Sequence, residues 1–323
     1  MRRRRSAPEG SDPLWTASAS SLLGVPESSF AERLPTASAV SQPQFVLTLS
    51  CADRPGIVHA VAGQLAGSGC NILESQQFGD PFTGRFFMRV HISGPTGLGA
   101  PDLREAFAPV ATDFGMDWAV HDLAVRPRVL ILVSKQGHCL NDLLFRRETG
   151  ALKIDVPAIV SNHPDFAALA RWHGVPFHHL PVTPDTKPQA EDKLRALVDE
   201  HQVDLVVLAR YMQVLSDDLC RDLAGRAINI HHSFLPSFKG ARPYHQAHAR
   251  GVKLIGATAH YVTGALDEGP IIEQEVARVD HTDGPDEMVG VGRDVECLAL
   301  SRAVRWHVEH RVLLNGDRTV VFR

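Results

Sequence analysis

Hydrophobic positions along the chain fall into two blocks of different texture. In the first, QFVLTLS at 44–50 is rich in strand-forming residues, and DRPGIVHAVAGQLAGSG follows with Ile57, Val58, Val61 and Leu65 at helical spacing behind Pro55. NILESQQF at 71–78 and RFFMRVHI at 85–92 predict two strands joined through the turn signal DPFTG. LREAFAPVATDFG predicts a second helix and MDWAVHDLA a closing strand. The order βαββαβ predicts a ferredoxin-like unit.

In the second block, short and almost wholly apolar runs alternate with helical patterns. The runs are RVLILVS, VPAIVSN, VPFHHLPV, VDLVVLAR and RAINIHH, with segments such as AEDKLRALVDEHQ between them. Strands without polar alternation are buried on both faces, so this block predicts an α/β unit with a Rossmann-like, doubly wound, mostly parallel sheet. Ligands of such sheets bind at the carboxyl ends of the strands. Ahead of both blocks, residues 1–42 are rich in Ser, Ala and Pro and hold no period. They are expected to be a disordered extension or the product of a start codon placed too far upstream, because the acidic residues and prolines weaken a basic transit helix behind the arginines at 2–5. The expected division is 1–42 extension, 43–125 small domain and 126–323 large domain.

Composition narrows the function. Apolar residues are 44% of the chain and charged residues 22%, ordinary values for a globular protein. No apolar run approaches the ~20 residues needed to span a bilayer, so no membrane partner is expected. A formal charge of -4 offers no general basic face, so no nucleic-acid partner is expected and a small-molecule substrate is favoured. The five cysteines, at 51, 70, 139, 220 and 297, form no CxxC pair, which predicts reduced thiols and a cytoplasmic location. HExxH is also absent, and the 17 histidines are expected to be scattered with no metal site among them.

Three stretches carry candidate chemistry. The first βα turn of the large block, VSKQGHCLNDLL at 133–144, holds neither GxGxxG nor GxxxxGK[ST], which argues against nucleotide chemistry; His138 and Cys139 sit where they could touch a ligand. INIHHSFLPSFKG at 228–240 places Asn229 and His231 on one face of a buried strand by its two-residue period. An amide and an imidazole at the carboxyl edge of a sheet can hold a carbonyl oxygen and stabilise the charge that grows on it; the alternative is that both bond loop backbone. GATAHYVTGALDEGPIIEQ at 256–274 leaves Asp267 and Glu268 in a glycine-bounded loop. A carboxylate beside His231 would orient the ring and relay a proton from water, whereas the plainer reading of Asp267 is an Asx turn before Gly269.

DRPGIV at 53–58, with Gly69 and the pair Asn71 and Ile72, resembles the ACT domain. The resemblance implies homo-oligomers and an amino-acid effector, with glycine and methionine as candidates. Asp53, Gly56 and Asn71 are the candidate effector residues; the N–H groups beside Pro55 and Gly56 suit a carboxylate. Asp53 as a simple helix cap and Gly56 as a simple turn glycine remain open.

Asn229-x-His231, then LPSFKG, then LDEGPII resemble the folate-dependent formyltransferase fold of glycinamide ribonucleotide transformylase and methionyl-tRNA formyltransferase, over about residues 128–310. The resemblance implies that Asn229, His231 and Asp267 are catalytic. It implies folate-pocket walls from Leu208, Met212, Gln213 and Leu215 and backbone from Val262 through Thr263 to Leu266 facing the pterin; His138, from its place in the first βα turn, is a further candidate for substrate binding. The glycine-rich phosphate loop of the transformylases and the basic tRNA-binding domain of the tRNA enzymes are both missing. An ACT unit with SKQGHCL, LARYMQ and INIHHSFLPSFKGARPYHQA together resembles the formyltetrahydrofolate deformylases over about 44–323. That implies hydrolysis of 10-formyltetrahydrofolate to formate and tetrahydrofolate, with folate as substrate, no cofactor and formate supplied to purine synthesis. Closure of an acceptor channel by Lys135 and His138 would explain a preference for water. Formyl transfer to a small amine and a noncatalytic folate or amino-acid sensor are the alternatives.

Overall fold

A computed structural model describes residues 42–235 and 243–323. The extension expected at 1–42 falls outside the described residues up to position 41, as does most of LPSFKG.

The first block forms β1 (Gln44–Ala52), α1 (Ile57–Gly67), β2 (Asn71–Asp80), β3 (Arg85–Ser93), α2 (Ala100–Phe114) and β4 (Asp117–Asp122). Its sheet has the order β2-β3-β1-β4 with all pairs antiparallel, the βαββαβ arrangement predicted. Alternation places Phe45, Leu47, Leu49 and Cys51 of β1 and Met88, Val90 and Ile92 of β3 in one core with Ile57, Val61 and Leu65 of α1 and Leu103 and Phe107 of α2. Val58, expected with the other apolar positions of α1, is instead 41% exposed, because it lies off the 57-61-65 stripe that meets the sheet.

The second block forms β5 (Val129–Val133), α3 (His138–Glu148), β6 (Ile159–Ser161), α4 (Ala167–Trp172), β7 (Phe177–His179), α5 (Lys187–Glu200), β8 (Leu205–Leu208), α6 (Asp217–Asp222), β9 (Ala227–His231), α7 (Pro243–Arg250), β10 (Leu254–Tyr261), β11 (Ile271–Arg278), α8 (Pro285–Val308) and a hairpin of β12 (Val312–Asn315) and β13 (Arg318–Val321). The large sheet has the order β11-β10-β9-β8-β5-β6-β7. It is parallel from β7 to β9, and β10 runs antiparallel to both β9 and β11. The chain winds from β5 through β6 to β7, then returns to the other side of β5 for β8 and β9. The doubly wound sheet therefore has its switch point between β5 and β8, where the strand ends splay and leave a crevice. The two faces carry separate cores. Val129, Ile131, Val133, Ile228 and Ile230 pack under α3 and α8; Leu130, Leu132, Val206 and Ala227 pack under α5 and α6. Among the described residues no helix is long and apolar enough to cross a membrane.

The far end of α8 and the terminal hairpin lie against the exposed face of the small sheet. Arg89 donates from Nε and Nη2 to the Glu309 carbonyl at 3.3 and 3.1 Å, and Asn315 Nδ2 donates to Asp80 Oδ2 at 2.7 Å. The rings of His121 and His310 stack at 3.5 Å between centroids. Burial and the Arg104 and Arg89 guanidiniums push His121 down to about 4; burial and the positive groups around them take His307 to about 4 and His310 to about 2.

Candidate active site

β9 positions the central pair. Ile228 and Ile230 point into the core beneath α8, so Asn229 and His231 share the opposite face and reach the carboxyl edge of the sheet together. Antiparallel pairing sets Asn229 directly opposite His260 of β10. The amide Nδ2 of Asn229 lies 3.3 Å from His260 Nε2, and His260 Nδ1 lies 2.9 Å from the Tyr261 carbonyl. A carbonyl only accepts, so Nδ1 carries a hydrogen; in that tautomer the Nε2 lone pair faces Asn229 and fixes which way the amide faces.

Asp267 arrives from the loop between β10 and β11. Its backbone adopts φ 57°, a left-handed conformation that Asp tolerates better than most residues. The loop folds back so closely that a Cβ on Gly269 would stand 1.8 Å from the Tyr261 carbonyl oxygen, which only glycine permits. Asp267 Oδ1 stands 3.1 Å from His231 Nδ1 and 3.8 Å from His260 Nε2. The hydrogen bond from His231, and after it the His260 ring, hold the carboxyl well below the usual carboxylate range against the opposing effect of burial, so it is an anion at neutral pH. His231 is thus held by Nδ1, while its buried Nε2 has no hydrogen-bond partner among the described residues. An unpartnered buried nitrogen beside a cavity is costly unless a ligand completes it.

The cavity has a volume of about 690 Å3 and is lined by all three residues of this set. Of the residues singled out from sequence as pocket walls, Leu208, Met212, Gln213, Leu215, Val262, Thr263 and Leu266 line this cavity. Met212, Val214 and Leu266 are 58%, 57% and 61% exposed, an apolar mouth that a flat ring system can cover. The loop after β8 is held in place by Ser134, whose Oγ accepts from Met212 N at 2.9 Å and donates to Asn162 at 2.7 Å.

Two expectations change. His138 does not line the cavity: as the first residue of α3 it turns inward, and its Nε2 lies 2.7 Å from Glu296 Oε2. Lys135 is exposed and away from the cavity wall, so the first βα turn reaches the site through Gln136 rather than through Lys135 or His138. In the small domain, Asp53 and Gly56 lie at one end of the sheet and Asn71 at the other, about 25 Å away by strand rise, since Asn71 and Gln44 both pair with Ser93 while Ala52 pairs with Arg85. One copy of the chain does not bring these three together. Gly56 takes φ 96° as the residue before α1, and Asp53 makes no capping bond to that helix.

Several cavity residues were not singled out from sequence. Gln136 Oε1 accepts from Arg210 Nε and Nη2 at 3.1 and 2.6 Å, Arg210 Nε lies 3.4 Å from Glu296 Oε2, and Tyr244 Oη donates to Glu296 Oε1 at 2.8 Å. Burial works to raise the Glu296 carboxyl, but the hydrogen bond from His138 and the charge of Arg210 outweigh it and hold the group below its ordinary value. His232 is pushed down to about 4 by burial, Arg210 and His231. As for metal-binding groups, His138, Cys139 and Cys297 lie together behind Glu296. The expectation of scattered histidines missed this cluster because Cys297 meets the other two only through the packing of α8 on α3.

An amide, an imidazole and an ionised carboxylate converge on an apolar cavity at the carboxyl edge of a doubly wound sheet, which defines a formyl-transferase-type catalytic domain joined to an ACT unit. Residues 127–304 match the formyl transferase family and residues 43–121 the ACT domain family. The chain is 56% identical over 286 residues to a formyltetrahydrofolate deformylase of Corynebacterium sp., covering 87% of this chain and 99% of that one. It is 41% identical to the Escherichia coli enzyme of that name, covering 85% and 97%. The crystal structure of a formyltetrahydrofolate deformylase from Burkholderia mallei superposes with a TM-score of 0.84 at 59% identity, covering 87% of this chain and all of that one. Glycinamide ribonucleotide transformylase 1 from Symbiobacterium toebii aligns with 62% of the chain and 97% of its own at a TM-score of 0.58 and 29% identity. The chain belongs to the formyltetrahydrofolate deformylase family.

Proposed function

We propose that the chain hydrolyses 10-formyltetrahydrofolate to formate and tetrahydrofolate, and that Asn229, His231 and Asp267 carry the reaction. The observation that carries the assignment of roles is the unpartnered Nε2 of His231, held by Asp267 from behind and flanked by the Asn229 amide on the cavity wall. The pterin lies in the apolar mouth formed by Leu208, Met212, Leu215 and the 262–266 segment, which places the N10-formyl group toward β9. Water adds to the formyl carbon. The carbonyl oxygen becomes an oxyanion between Asn229 Nδ2 and protonated His231 Nε2, with Asp267 as countercharge. The proton released by water passes through Asp267 or its bound water to N10, the C–N bond breaks, and formate and tetrahydrofolate leave.

The reaction is redox-neutral, and these side chains supply its acid, base and oxyanion donors, so our reading uses no cofactor. For the ACT domain we propose an amino-acid effector, with glycine and methionine as candidates, at a site assembled between two copies of the chain, because Asn71 lies too far from Gly56 within one copy. A cytoplasmic location is part of the same reading, supported by five free thiols.

The test is incubation of purified protein with 10-formyltetrahydrofolate and no amine, measuring formate and tetrahydrofolate together. Equal yields of both support hydrolysis. Turnover only after an amine is added replaces it with formyl transfer, and folate binding without turnover replaces it with a sensor.

A further inference from the structure

Behind the cavity, the first turn of α3 packs against the middle of α8 and gathers three side chains that the proposed reaction does not use. His138, Cys139 and Cys297 each place one ligand atom within 4.8 Å of the other two. Both cysteines are free. None of the three lines the catalytic cavity.

The donor set is a selective one. Two sulfurs and an imidazole nitrogen suit zinc and other soft or borderline cations, and are poor ligands for magnesium or calcium. The surroundings of His138 add a second, independent observation. Its Nε2 is engaged at 2.7 Å by the buried Glu296 carboxylate, whose other oxygen accepts from Tyr244. Nδ1 is therefore the nitrogen left for a metal. A histidine that binds metal through one nitrogen while giving the other N–H to a carboxylate is the usual way such a ligand is oriented.

Distances also fit. In tetrahedral zinc, with Zn–S near 2.3 Å and Zn–N near 2.0 Å, donors stand about 3.5–3.8 Å apart. From an upper limit of 4.8 Å the three groups need to close by no more than about 1–1.3 Å. Cys139 is buried, but Cys297 is partly exposed, which opens a way in from solvent.

We propose that His138, Cys139 and Cys297 bind one zinc ion, with the fourth tetrahedral position taken by water or a small exogenous ligand. On binding, both thiols lose their protons to solvent and no electron is transferred. The ion ties α3 to α8 immediately behind Glu296, so its role is to hold the carboxylate that anchors Arg210 and Tyr244; it takes no part in the attack on the formyl group. The inference is independent of which reaction the cavity performs.

The experiment uses tag-free, full-length protein, reduced and freed of metal by a chelator, then titrated with cobalt(II) as a spectroscopic stand-in for zinc. The expected result is one cobalt per chain, with thiolate-to-cobalt charge transfer and tetrahedral d–d bands, all bleached by one equivalent of zinc. Cys139→Ser and Cys297→Ser should each lose the charge-transfer intensity of one sulfur and weaken binding at least about 100-fold. Glu296→Gln keeps every donor and should weaken binding roughly 10–100-fold. Circular dichroism on each variant separates loss of ligand from loss of fold. A wild-type protein with both thiols reduced that takes up no cobalt overturns the proposal. Uptake that is unchanged in both folded cysteine variants overturns it as well.

Discussion

The sharpest test of the catalytic geometry is Asp267→Asn. Asn tolerates the left-handed backbone that Asp267 occupies at φ 57°, so the loop should keep its shape while the charge is removed. Asp267 Oδ1 lies 3.1 Å from His231 Nδ1, and the two side chains are only 12% and 7% exposed. For full charges at that separation and an effective dielectric constant near 20, Coulomb's law gives about 5 kcal/mol. The proposed oxyanion step needs His231 as the imidazolium, and without the Asp267 charge that form costs up to this energy to reach, so the loss appears in kcat. At about 1.4 kcal/mol per factor of ten, the loss should be three to four orders of magnitude. The amide also presents an N–H or an uncharged oxygen to Nδ1, which loosens control of the ring tautomer and acts in the same direction. Steady-state hydrolysis of 10-formyltetrahydrofolate gives kcat and KM, and fluorescence titration gives folate affinity. A variant that retains folate affinity and keeps kcat within tenfold of wild type refutes the electrostatic role. Lost affinity with unchanged turnover per bound enzyme makes Asp267 a structural residue.

Three further outcomes are expected. Asn229→Ala should lower kcat about 100- to 1000-fold with little change in melting temperature, as for loss of one oxyanion donor; near-normal turnover removes Asn229 from the mechanism. Gly269→Ala sets a methyl group where the Tyr261 carbonyl stands, so the 262–270 loop must shift; activity and melting temperature should fall together, and a wild-type crystal geometry in that variant would contradict the packing argument. His121 and His307 titrate at about 4 when folded against an ordinary value of 6.5, so the unfolded chain binds their protons first and stability falls as pH drops through the window from about 6.5 to 4. At pH 5 each buried histidine should cost about 2 kcal/mol relative to pH 8, read as a falling melting temperature that His121→Phe partly flattens.

What the sequence carried and what it did not can be traced residue by residue. Both folds were legible because their signals are local: period-two runs in the small sheet and unbroken apolar strands in the large one. Asn229 and His231 were legible because two polar groups, two apart, interrupt a buried strand. Asp267 stood out as an acid in a loop bounded by glycines. His260 could not be singled out, since its importance lies in standing opposite Asn229, and that pairing exists only once β10 is set antiparallel to β9. Glu296 reads as one more charged position of a long helix; only the packing of α8 on α3 makes it a buried anion that receives His138, Arg210 and Tyr244. The same contact turned His138 away from the ligand and toward Glu296. Arg210 lay within LARYMQ, but its positive φ of 64°, which aims its side chain back at Gln136, has no local sequence signature.

The position of α8 ties these observations to the presence of an ACT domain. Asp286, Val289, Arg293 and Glu296, along its first half, line the cavity. At 1.5 Å per residue its 24 residues span about 36 Å, and just beyond its far end the Glu309 carbonyl accepts from Arg89, a residue of the small sheet. A packed helix transmits a displacement along its axis better than it absorbs one, because its sides are interlocked with a close-packed core. A ligand on the small sheet changes catalysis only to the extent that it binds two arrangements of this interface with different affinity. The groups that can differ between two arrangements include the pair of Arg89 bonds to Glu309, the Asn315 bond to Asp80, the Arg311 contacts with Glu74 and Gln76, the Gln76 bond to the Arg323 carbonyl, and the stacked rings of His121 and His310. Each is a polar or aromatic contact of modest energy at the seam between the two cores. Such a seam can be rearranged for the 1–3 kcal/mol typical of allosteric coupling, whereas the continuous apolar cores on either side of it cannot.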